Sequence, residues 1–333
     1  MSPSMLTRRT WISQATAAVG MCAVPLWARD KAYPNRPIRL MVPFAAGGST
    51  DIVARLVADA MQPILGESIV VENKAGAGGM IGAEALARSV PDGYTMGLGS
   101  ISTLAVNPVV LTASRLDPLT ALQPVIALAS IASVFSVPSN LGIENFAQFL
   151  KAARNQGDNW AAGSSGIGSV GHVILEAFNA DLKLKLRHIP FKGMGPVINS
   201  TLAGQTQVLS DQFPSSAPHI QAGRLKPLAV AAQARLAELP GVPTLAELGY
   251  PQLNDLAITW FGLVVPKGVA PDVVHALNQA AHQALQQPAL RARFAQMGVT
   301  PLGGKPEDLQ RMVVETTAHV RALVAARGIS DGL

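Results

Sequence analysis

Cysteine is almost absent from this chain of 333 residues. The single cysteine, Cys22, lies in an apolar stretch close to the N-terminus. A protein from which that stretch has been removed has no thiol, so it forms no disulfide and has no metal site built on cysteine. Cysteine chemistry is therefore excluded from the function.

Charged and aromatic side chains are also scarce, at 14% and 5% of the residues, whereas 49% are hydrophobic. This is the composition of a globular chain with a large core, and the length is enough for about two domains. The formal net charge is +5, from 26 basic and 21 acidic residues, and it falls to +3 without Arg8 and Arg9. Because the basic residues form no cluster, nucleic acid is not expected as a partner.

Residues 1–28 have the layout of a cleaved export signal. Arg8 and Arg9 precede a mostly apolar run at 11–27, and a charged segment begins at Arg29. The paired arginines are typical of the twin-arginine route, and the Sec route stays open. A membrane anchor is the alternative, but Gln14 interrupts the run, which is shorter than the roughly 20 residues that span a bilayer. We therefore expect an exported protein.

From Pro37 onward, short apolar runs alternate with amphipathic stretches. This rhythm predicts an α/β fold with a mainly parallel sheet. The predicted strands lie at 38–42, 68–72, 94–98, 125–136, 160–163, 182–190, 207–211, 225–232 and 257–265. The predicted helices lie at 51–65, 81–88, 144–154, 169–180, 196–202, 218–222, 271–287, 288–297 and 306–326.

Two of the apolar runs, at 125–136 and 257–265, are predicted to cross between two lobes. The first lobe then comprises residues 34–130 plus 257–333, and the second comprises residues 131–256. Small-molecule sites favour the crevice between two domains, at the carboxyl ends of strands. The sequence therefore predicts a two-lobed protein with a hinge and a binding cleft.

A glycine turn joins the first predicted strand to the first predicted helix. Gly47 and Gly48 follow the apolar run at 40–42, and the helix signal begins at 49–51. With Ser49 or Thr50 capping one backbone N–H, the other N–H groups and the positive end of the helix dipole are available to an anion, most simply a carboxylate or a phosphate. An ordinary strand-to-helix connection is the alternative, since glycine-rich turns are common.

A second glycine-rich segment, GIGSVG at 166–171, matches GxGxxG and opens another predicted helix. A nicotinamide dinucleotide is not the expected ligand, because the acidic residue required about 20 positions later is missing and basic residues occupy that region. The segment fits better as a second helix start that faces an anion, with hydroxyl groups from Ser164, Ser165 and Ser169 around it.

The signals for enzyme chemistry are weaker. Ser165 lacks the final glycine of a GxSxG nucleophile motif, and the chain has no P-loop. His172 and Glu176 lie on one helix face, but without a third ligand at motif spacing they indicate a hydrogen-bonding pair rather than a metal site. Asp51 and Asp211 lie near predicted strand ends, where a general base is often found. A secreted hydrolase or lyase using Asp51, Asp211 or His172 is the alternative to a binding protein.

Six motifs, in this order and spacing, resemble the Bug-type substrate-binding proteins of tripartite tricarboxylate transporters. They are VPFAAGGSTD at 42–51, VENKAGAGG at 71–79, PDGYT at 91–95, GIGSVGH at 166–172, PFKG at 190–193 and LPGVPTLAELG at 239–249. The resemblance runs from about Tyr33 to the end of the chain. It implies a periplasmic protein with a two-lobed Venus-flytrap fold, similar to type II periplasmic binding proteins, with two crossover strands.

The resemblance also implies the function. Such a protein is not an enzyme and has no cofactor or metal; it closes as a monomer on a small carboxylate and delivers it to membrane permease subunits. The ligand would be a di- or tricarboxylate, an acidic amino acid or an aromatic acid, held by backbone amides, hydroxyl groups and water. A close variant presents the ligand to a sensor kinase instead.

Carried over position by position, the family's binding loops place the expected contacts in both lobes. The expected ligand-binding residues are Phe44, Gly47, Gly48, Ser49, Thr50, Asp51, Ser102, Thr103, Ser164, Ser165, Gly166, Gly168, Ser169, Lys192 and Asp211.

Overall fold

The computed structural model describes residues 33–111 and 116–329. The expected export signal at 1–28, together with Cys22, lies outside these residues. Within the two described ranges, no helix combines the length and the apolar character that crossing a membrane requires.

Eleven strands and twelve α-helices are present in the described part of the chain. The strands are β1 (Ile38–Val42), β2 (Ile69–Asn73), β3 (Thr95–Ser100), β4 (Leu122–Ile131), β5 (Ser133–Pro138), β6 (Ala161–Ser164), β7 (Arg187–Pro190), β8 (Val208–Gln212), β9 (Leu225–Ala231), β10 (Thr259–Pro266) and β11 (Val299–Gly303). The helices are α1 (Ser49–Leu65), α2 (Met80–Ala87), α3 (Asn107–Val110), α4 (Pro118–Ala121), α5 (Phe146–Gln156), α6 (Val170–Leu182), α7 (Met194–Leu202), α8 (Phe213–Gln221), α9 (Pro251–Leu256), α10 (Pro271–Gln286), α11 (Pro288–Gln296) and α12 (Pro306–Arg327).

The strands form two sheets, which confirms the two-lobed α/β fold. The first sheet has the order β11-β4-β10-β3-β1-β2 and the second the order β7-β6-β8-β5-β9. Both sheets are mixed, so the prediction of a mainly parallel sheet is wrong. Strand β1 is parallel to β2 and β3, but β10 is antiparallel to β3 and β4, and β5 is antiparallel to β8 and β9. Strands β4, β5 and β10, which adjoin the two connections between the sheets, have only antiparallel neighbours.

At both connections, the chain changes sheet between two strands rather than within one strand. The run at 125–136 is two strands, since β4 ends at Ile131 in the first sheet and β5 begins at Ser133 in the second. On the return, the chain passes from β9 through α9 to β10, which begins at Thr259 and belongs wholly to the first sheet. The Ser133 hydroxyl donates a hydrogen bond of 2.6 Å to the Ala257 carbonyl, which ties the two connections side by side. The exact lobe limits stay a prediction.

The spacing of apolar residues along the chain predicts most elements to within two or three residues, with three exceptions. The predicted strand at 182–190 is wrong in its first half, because Leu182 ends α6 and only Arg187–Pro190 pairs with β6. Helix α8 begins at Phe213 rather than at 218. Strand β11 and helices α3, α4 and α9 are absent from the predicted elements.

Helix α1 is fixed against the first sheet by its apolar stripe. Val53, Val57 and Met61 are fully buried in the cluster that also contains Leu40 and Val42 of β1. A packed helix of this kind holds its N-terminal turn in place, and this turn is the one that carries Gly47 and Gly48.

Candidate functional site

One enclosed cavity lies between the two sheets and is bordered by both glycine turns. The space between its walls, counted together with the part that is open to solvent, is about 530 Å³. The lining consists of Phe44, Gly48, Thr50, Ser100, Ile101, Ser102, Ser133, Ser165, Val170, Gly171, Ile174, Met194, Ser210, Gln212 and Phe261. Among the described residues, those that border the cavity carry no formal charge. The polar part of the lining is almost entirely hydroxyl groups and backbone.

The first turn presents an uncapped helix N-terminus to this cavity. Gly48 is the N-cap of α1 and no side chain accepts a hydrogen bond at this cap, so the expected capping by Ser49 or Thr50 is wrong. Thr50 borders the cavity, whereas the Ser49 hydroxyl is engaged elsewhere. The N–H groups of the first turn of this 17-residue helix are therefore free of side-chain caps, and the positive end of the helix dipole faces the same side.

Asp51 shapes this turn and does not border the cavity. Its carboxylate accepts from the Gly47 N–H at 3.1 Å, from the Asn73 amide at 3.0 Å and from the Arg55 guanidinium at 2.9 Å. Burial alone would raise the pKa of Asp51, but the hydrogen bonds from Arg55, Asn73 and Gly47 outweigh it and hold this pKa below its ordinary value. Gly47 has a φ of +86°, which a side chain would disfavour, so the turn is built from both glycine and carboxylate.

Two residues that support the first turn were not predicted from the sequence. The Asn73 amide donates to the Phe44 carbonyl as well as to Asp51, both at 3.0 Å, and Arg55 donates to the Asn73 side-chain oxygen at 3.1 Å. The end of β2 therefore fixes the position of Phe44, which borders the cavity.

Of the expected hydroxyl pair at the end of β3, one borders the cavity. Ser102 lines it, and its hydroxyl oxygen also accepts from the Val170 N–H at 3.0 Å, which connects the first lobe to the start of α6. Thr103 is buried below the surface of the cavity, where its hydroxyl oxygen accepts from the Ser100 N–H at 3.0 Å.

The second glycine turn contributes one hydroxyl group to the cavity. Ser165 borders the cavity. The Ser164 hydroxyl does not; it lies 2.6 Å from Nε2 of His188, and this hydrogen bond stabilises the turn. Ser169 is the N-cap of α6, and its hydroxyl oxygen accepts from the His172 N–H at 3.3 Å. The start of α6 is therefore already capped, unlike the start of α1.

Gly166 and Gly168 lie where the two lobes touch and do not border the cavity. A Cβ atom on Gly166 would lie 2.8 Å from the backbone nitrogen of Gly78, and one on Gly168 would lie 2.6 Å from the Leu111 side chain. These glycines permit the backbones of the two lobes to approach each other closely.

The two remaining expected residues also lie away from the cavity surface. Lys192 is exposed, and only its backbone contributes to the closed arrangement, because its carbonyl accepts from the Ala45 N–H at 3.1 Å. Asp211 is fully buried under α8, and its Oδ2 accepts from the Ser215 hydroxyl at 2.5 Å. Burial raises the pKa of Asp211 to about 7. Its neighbours Ser210 and Gln212, which point to the other face of β8, border the cavity.

The three residues considered for catalysis are not arranged around a shared reaction site. Neither Asp51, Asp211 nor His172 borders the cavity. His172 is buried, accepts from the Gly168 N–H at 3.3 Å and stacks on His188. Across 33–111 and 116–329, no group of three or more His, Cys, Asp or Glu side chains has the geometry to hold a metal ion.

Several residues that line the cavity could not be predicted from the sequence, because no local motif marks them. Ser133 and Ser210 lie on neighbouring strands, Ser133 at the connection between the sheets and Ser210 one position before Asp211. The Ser210 hydroxyl oxygen is buried and has no hydrogen-bond partner among the described residues. Small hydroxyl residues next to a crossing between lobes are the one signal that points to them.

The chain matches the family described as the Tripartite tricarboxylate transporter family receptor over residues 53–329. Among solved structures, it is similar to the periplasmic binding protein BugD, with 32% identity, a TM-score of 0.86, and coverage of 90% of this chain and 99% of that one.

Two further similar structures hold named ligands. Rpa4515 of R. palustris, solved with adipate, is 32% identical with a TM-score of 0.85, covering 90% of this chain and 99% of that one. MatC of Rhodopseudomonas palustris, solved with bound malate, is 30% identical with a TM-score of 0.83, covering 88% of this chain and 100% of that one.

Proposed function

The chain belongs to the tripartite tricarboxylate transporter receptor family as a Bug-type member, and we propose that it binds a small carboxylate between its lobes and delivers it to a tripartite permease. The members of its family and its structural neighbours are solute-binding proteins, and so is this chain. It is not an enzyme, so the hydrolase and lyase alternative is wrong. The observation that carries the proposal is the uncharged, hydroxyl-lined cavity at the uncapped start of α1.

The carboxylate is assigned to the first turn because this turn has free donors. At the start of α6, the Val170 N–H donates to Ser102 and the His172 N–H donates to Ser169. At the start of α1, no side chain occupies the N-cap position, and Gly48 and Thr50 both border the cavity. Backbone N–H groups and the positive end of a helix dipole stabilise an anion without a basic side chain.

The rest of the lining favours a ligand with an apolar body and a second polar end. Phe44, Ile101, Ile174, Met194 and Phe261 supply apolar surface. The Ser210 hydroxyl, which has no partner within 33–111 and 116–329, supplies a polar group in the same cavity. A buried hydroxyl without a partner is costly, so a ligand oxygen at that position contributes to affinity. This chemistry suits an aliphatic dicarboxylate, the class to which adipate and malate belong.

Binding is coupled to closure of the lobes, in our proposal. The lobes already touch through backbone groups, including the Ala45 N–H bonded to the Lys192 carbonyl. A ligand that contacts both lobes favours the closed state by as much as its affinity for that state exceeds its affinity for the open one. The expected export signal and the periplasmic relatives support delivery from the periplasm.

This proposal is tested by thermal unfolding of the chain lacking residues 1–28. The unfolding temperature is measured with each of a panel of carboxylates: adipate, malate, citrate, glutamate and benzoate. A carboxylate at 100 times its dissociation constant adds about 2.7 kcal/mol to the free energy of unfolding. We expect Ser210→Ala to weaken binding of the stabilising compound about fivefold, as the loss of one hydrogen bond does. Ser136→Ala is the matched control, because the Ser136 hydroxyl is also buried and without a partner in the described part of the chain, but does not border the cavity.

Two results would contradict the proposal. One is a panel in which no carboxylate raises the unfolding temperature. The other is chemical conversion of the bound compound, since a receptor returns its ligand unchanged. Delivery is tested separately, by uptake of the radiolabelled compound into spheroplasts that contain the permease subunits, with and without the added protein.

A further inference from the structure

Two serine hydroxyl groups bridge the lobes outside the cavity. Ser49 is the first residue of α1, which packs on the first sheet, and Ser215 lies in α8, which packs on the second. Their Oγ atoms are 2.7 Å apart, and the Ser215 N–H donates to the Ser49 Oγ at 3.1 Å. Both side chains are buried, at 1% and 4% exposure. Neither borders the cavity.

Asp211 determines the direction of this bridge. The Ser215 hydroxyl has one proton, and its shortest acceptor is the Asp211 Oδ2 at 2.5 Å. The Ser49 hydroxyl can then give its own proton to the Ser215 Oγ while accepting from the Ser215 N–H. The Oδ2 atom accepts in both charge states of Asp211, because a proton can bind at Oδ1, which has no partner among the described residues.

We propose that the bridge between Ser49 and Ser215, oriented by Asp211, increases ligand affinity by stabilising the closed arrangement of the lobes without touching the ligand. The inference rests on the proposed function, since it concerns the same binding event. Ser49 lies between Gly48 and Thr50, which both border the cavity, so the bridge also holds the anion-binding turn of the first lobe against α8. These three are positioning residues, not ligand contacts.

The expected size of the effect follows from the closing equilibrium. If the ligand binds the closed state, its apparent affinity falls by the factor by which that state is depopulated. Loss of the bond between the two Oγ atoms depopulates the closed state about fivefold. The bond from the Ser215 N–H is lost only when the Ser49 hydroxyl is removed. The same substitution in a hydroxyl group that bonds within its own lobe leaves the equilibrium unchanged.

Ser215→Ala and Ser216→Ala form the matched pair that tests the bridge. Ser216 is the next residue of α8 and is fully buried. Among the residues that the structure describes, its hydroxyl donates only to the Gln212 and Phe213 carbonyls of its own lobe. We expect Ser215→Ala, which keeps the backbone N–H bond to Ser49, to raise the dissociation constant for adipate or malate about fivefold and Ser216→Ala to leave it within twofold. Ser49→Ala should weaken binding more than Ser215→Ala, because it also removes the acceptor for the Ser215 N–H and the donor to the Gln212 carbonyl. In a double-mutant cycle, Ser215→Ala added to Ser49→Ala should then weaken binding no further.

A second readout needs no ligand. The chain without residues 1–28 has no cysteine, so spin labels on Lys74→Cys and Asn199→Cys, exposed positions in the first and second lobes, report the separation of the lobes. Ser215→Ala should shift the label distances to longer values, and Ser216→Ala should not. Equal distance distributions in the two variants, or wild-type lobes that stay apart in every condition, would overturn the inference. If no carboxylate binds, the proposed function fails while the distances still test the bridge.

Discussion

The rings of His172 and His188 stack beneath the second glycine turn, with centroids 4.5 Å apart and planes inclined by 17°. His172 accepts from the Gly168 N–H through Nδ1, and Nε2 of His188 lies 2.6 Å from the Ser164 hydroxyl. The pair therefore supports the turn at both of its ends. Two stacked imidazoles tolerate this arrangement only while at least one of them is neutral.

The stack predicts a loss of stability at acidic pH. Burial, and secondarily the neighbouring His172, lower the pKa of His188 from 6.5 to about 4. Between these values the unfolded chain binds a proton that the folded chain does not, so the free energy of unfolding falls as the pH drops from 6.5 towards 4. Glu176, one turn further along α6, contributes in the opposite sense, because burial raises its pKa.

Urea denaturation at pH 4.5 and pH 7 measures this effect. We expect the wild-type protein to lose more stability between the two values than His188→Gln, which does not titrate. Equal losses in the two proteins would show that His188 is not the group responsible.

The carboxylate of Asp51 predicts an indirect effect on binding. Asp51→Ala removes the acceptor for the Gly47 N–H and for the Asn73 amide, so the turn loses its shape although no ligand contact is lost. We expect about a tenfold rise in the dissociation constant for the bound carboxylate and a loss of about 1–3 kcal/mol in the free energy of unfolding. Titration calorimetry and urea denaturation measure the two effects.

The matched control for Asp51 is on the same helix. Asp59 is exposed and its side chain accepts only a 3.4 Å bond from Gln62, so Asp59→Ala should leave both quantities nearly unchanged. If the two substitutions weaken binding equally, the turn does not depend on its carboxylate.

Most of the fold could be predicted from the sequence, because the hydrophobic residues of its helices and strands repeat at the spacing of each element. The apolar residues of α1 recur at helical spacing because the helix buries one face, and the last three residues of β1 are a continuous apolar run because that part of the strand is buried on both faces. Each pattern therefore predicts the position of its element. The connection at Ala132 was not accessible. Every residue from Ile131 to Pro138 is buried, so the hydrophobic pattern does not change where the chain leaves one sheet and enters the other.

The site was accessible only in outline. Glycine turns mark the two helix starts, but the roles of adjacent hydroxyl residues depend on which side of the turn each one faces. Thr50 and Ser165 border the cavity, whereas Ser49 and Ser164, one residue earlier in each case, are bonded to Ser215 and His188. Ser210 contributes through its strand pairing, which no sequence motif encodes.

The uncharged lining predicts a weak dependence of binding on salt. Screening reduces the attraction between a ligand and charged side chains, but it has little effect on enclosed backbone dipoles and hydroxyl groups. The dissociation constant for the bound carboxylate should therefore change less than about threefold between 50 mM and 500 mM sodium chloride. Lys192→Ala should leave the dissociation constant unchanged at both concentrations, because Lys192 is exposed and away from the lining. A tenfold weakening by salt that Lys192→Ala abolishes would place that ammonium group on the ligand.

The contact between Gly78 and the second lobe predicts a variant that folds but closes poorly. Gly78 has a φ of +60°, and a Cβ atom there would lie 2.4 Å from the Ile167 carbonyl oxygen of the other lobe. Gly142 has a φ of +66° with nothing within 4 Å of the corresponding atom, so Gly142→Ala carries the same backbone strain without the clash. We expect both substitutions to cost about 1–2 kcal/mol of stability, but only Gly78→Ala to weaken carboxylate binding, by tenfold or more. Small-angle scattering should find Gly78→Ala more extended than Gly142→Ala at saturating ligand, because the added methyl group clashes with the Ile167 carbonyl when the lobes close.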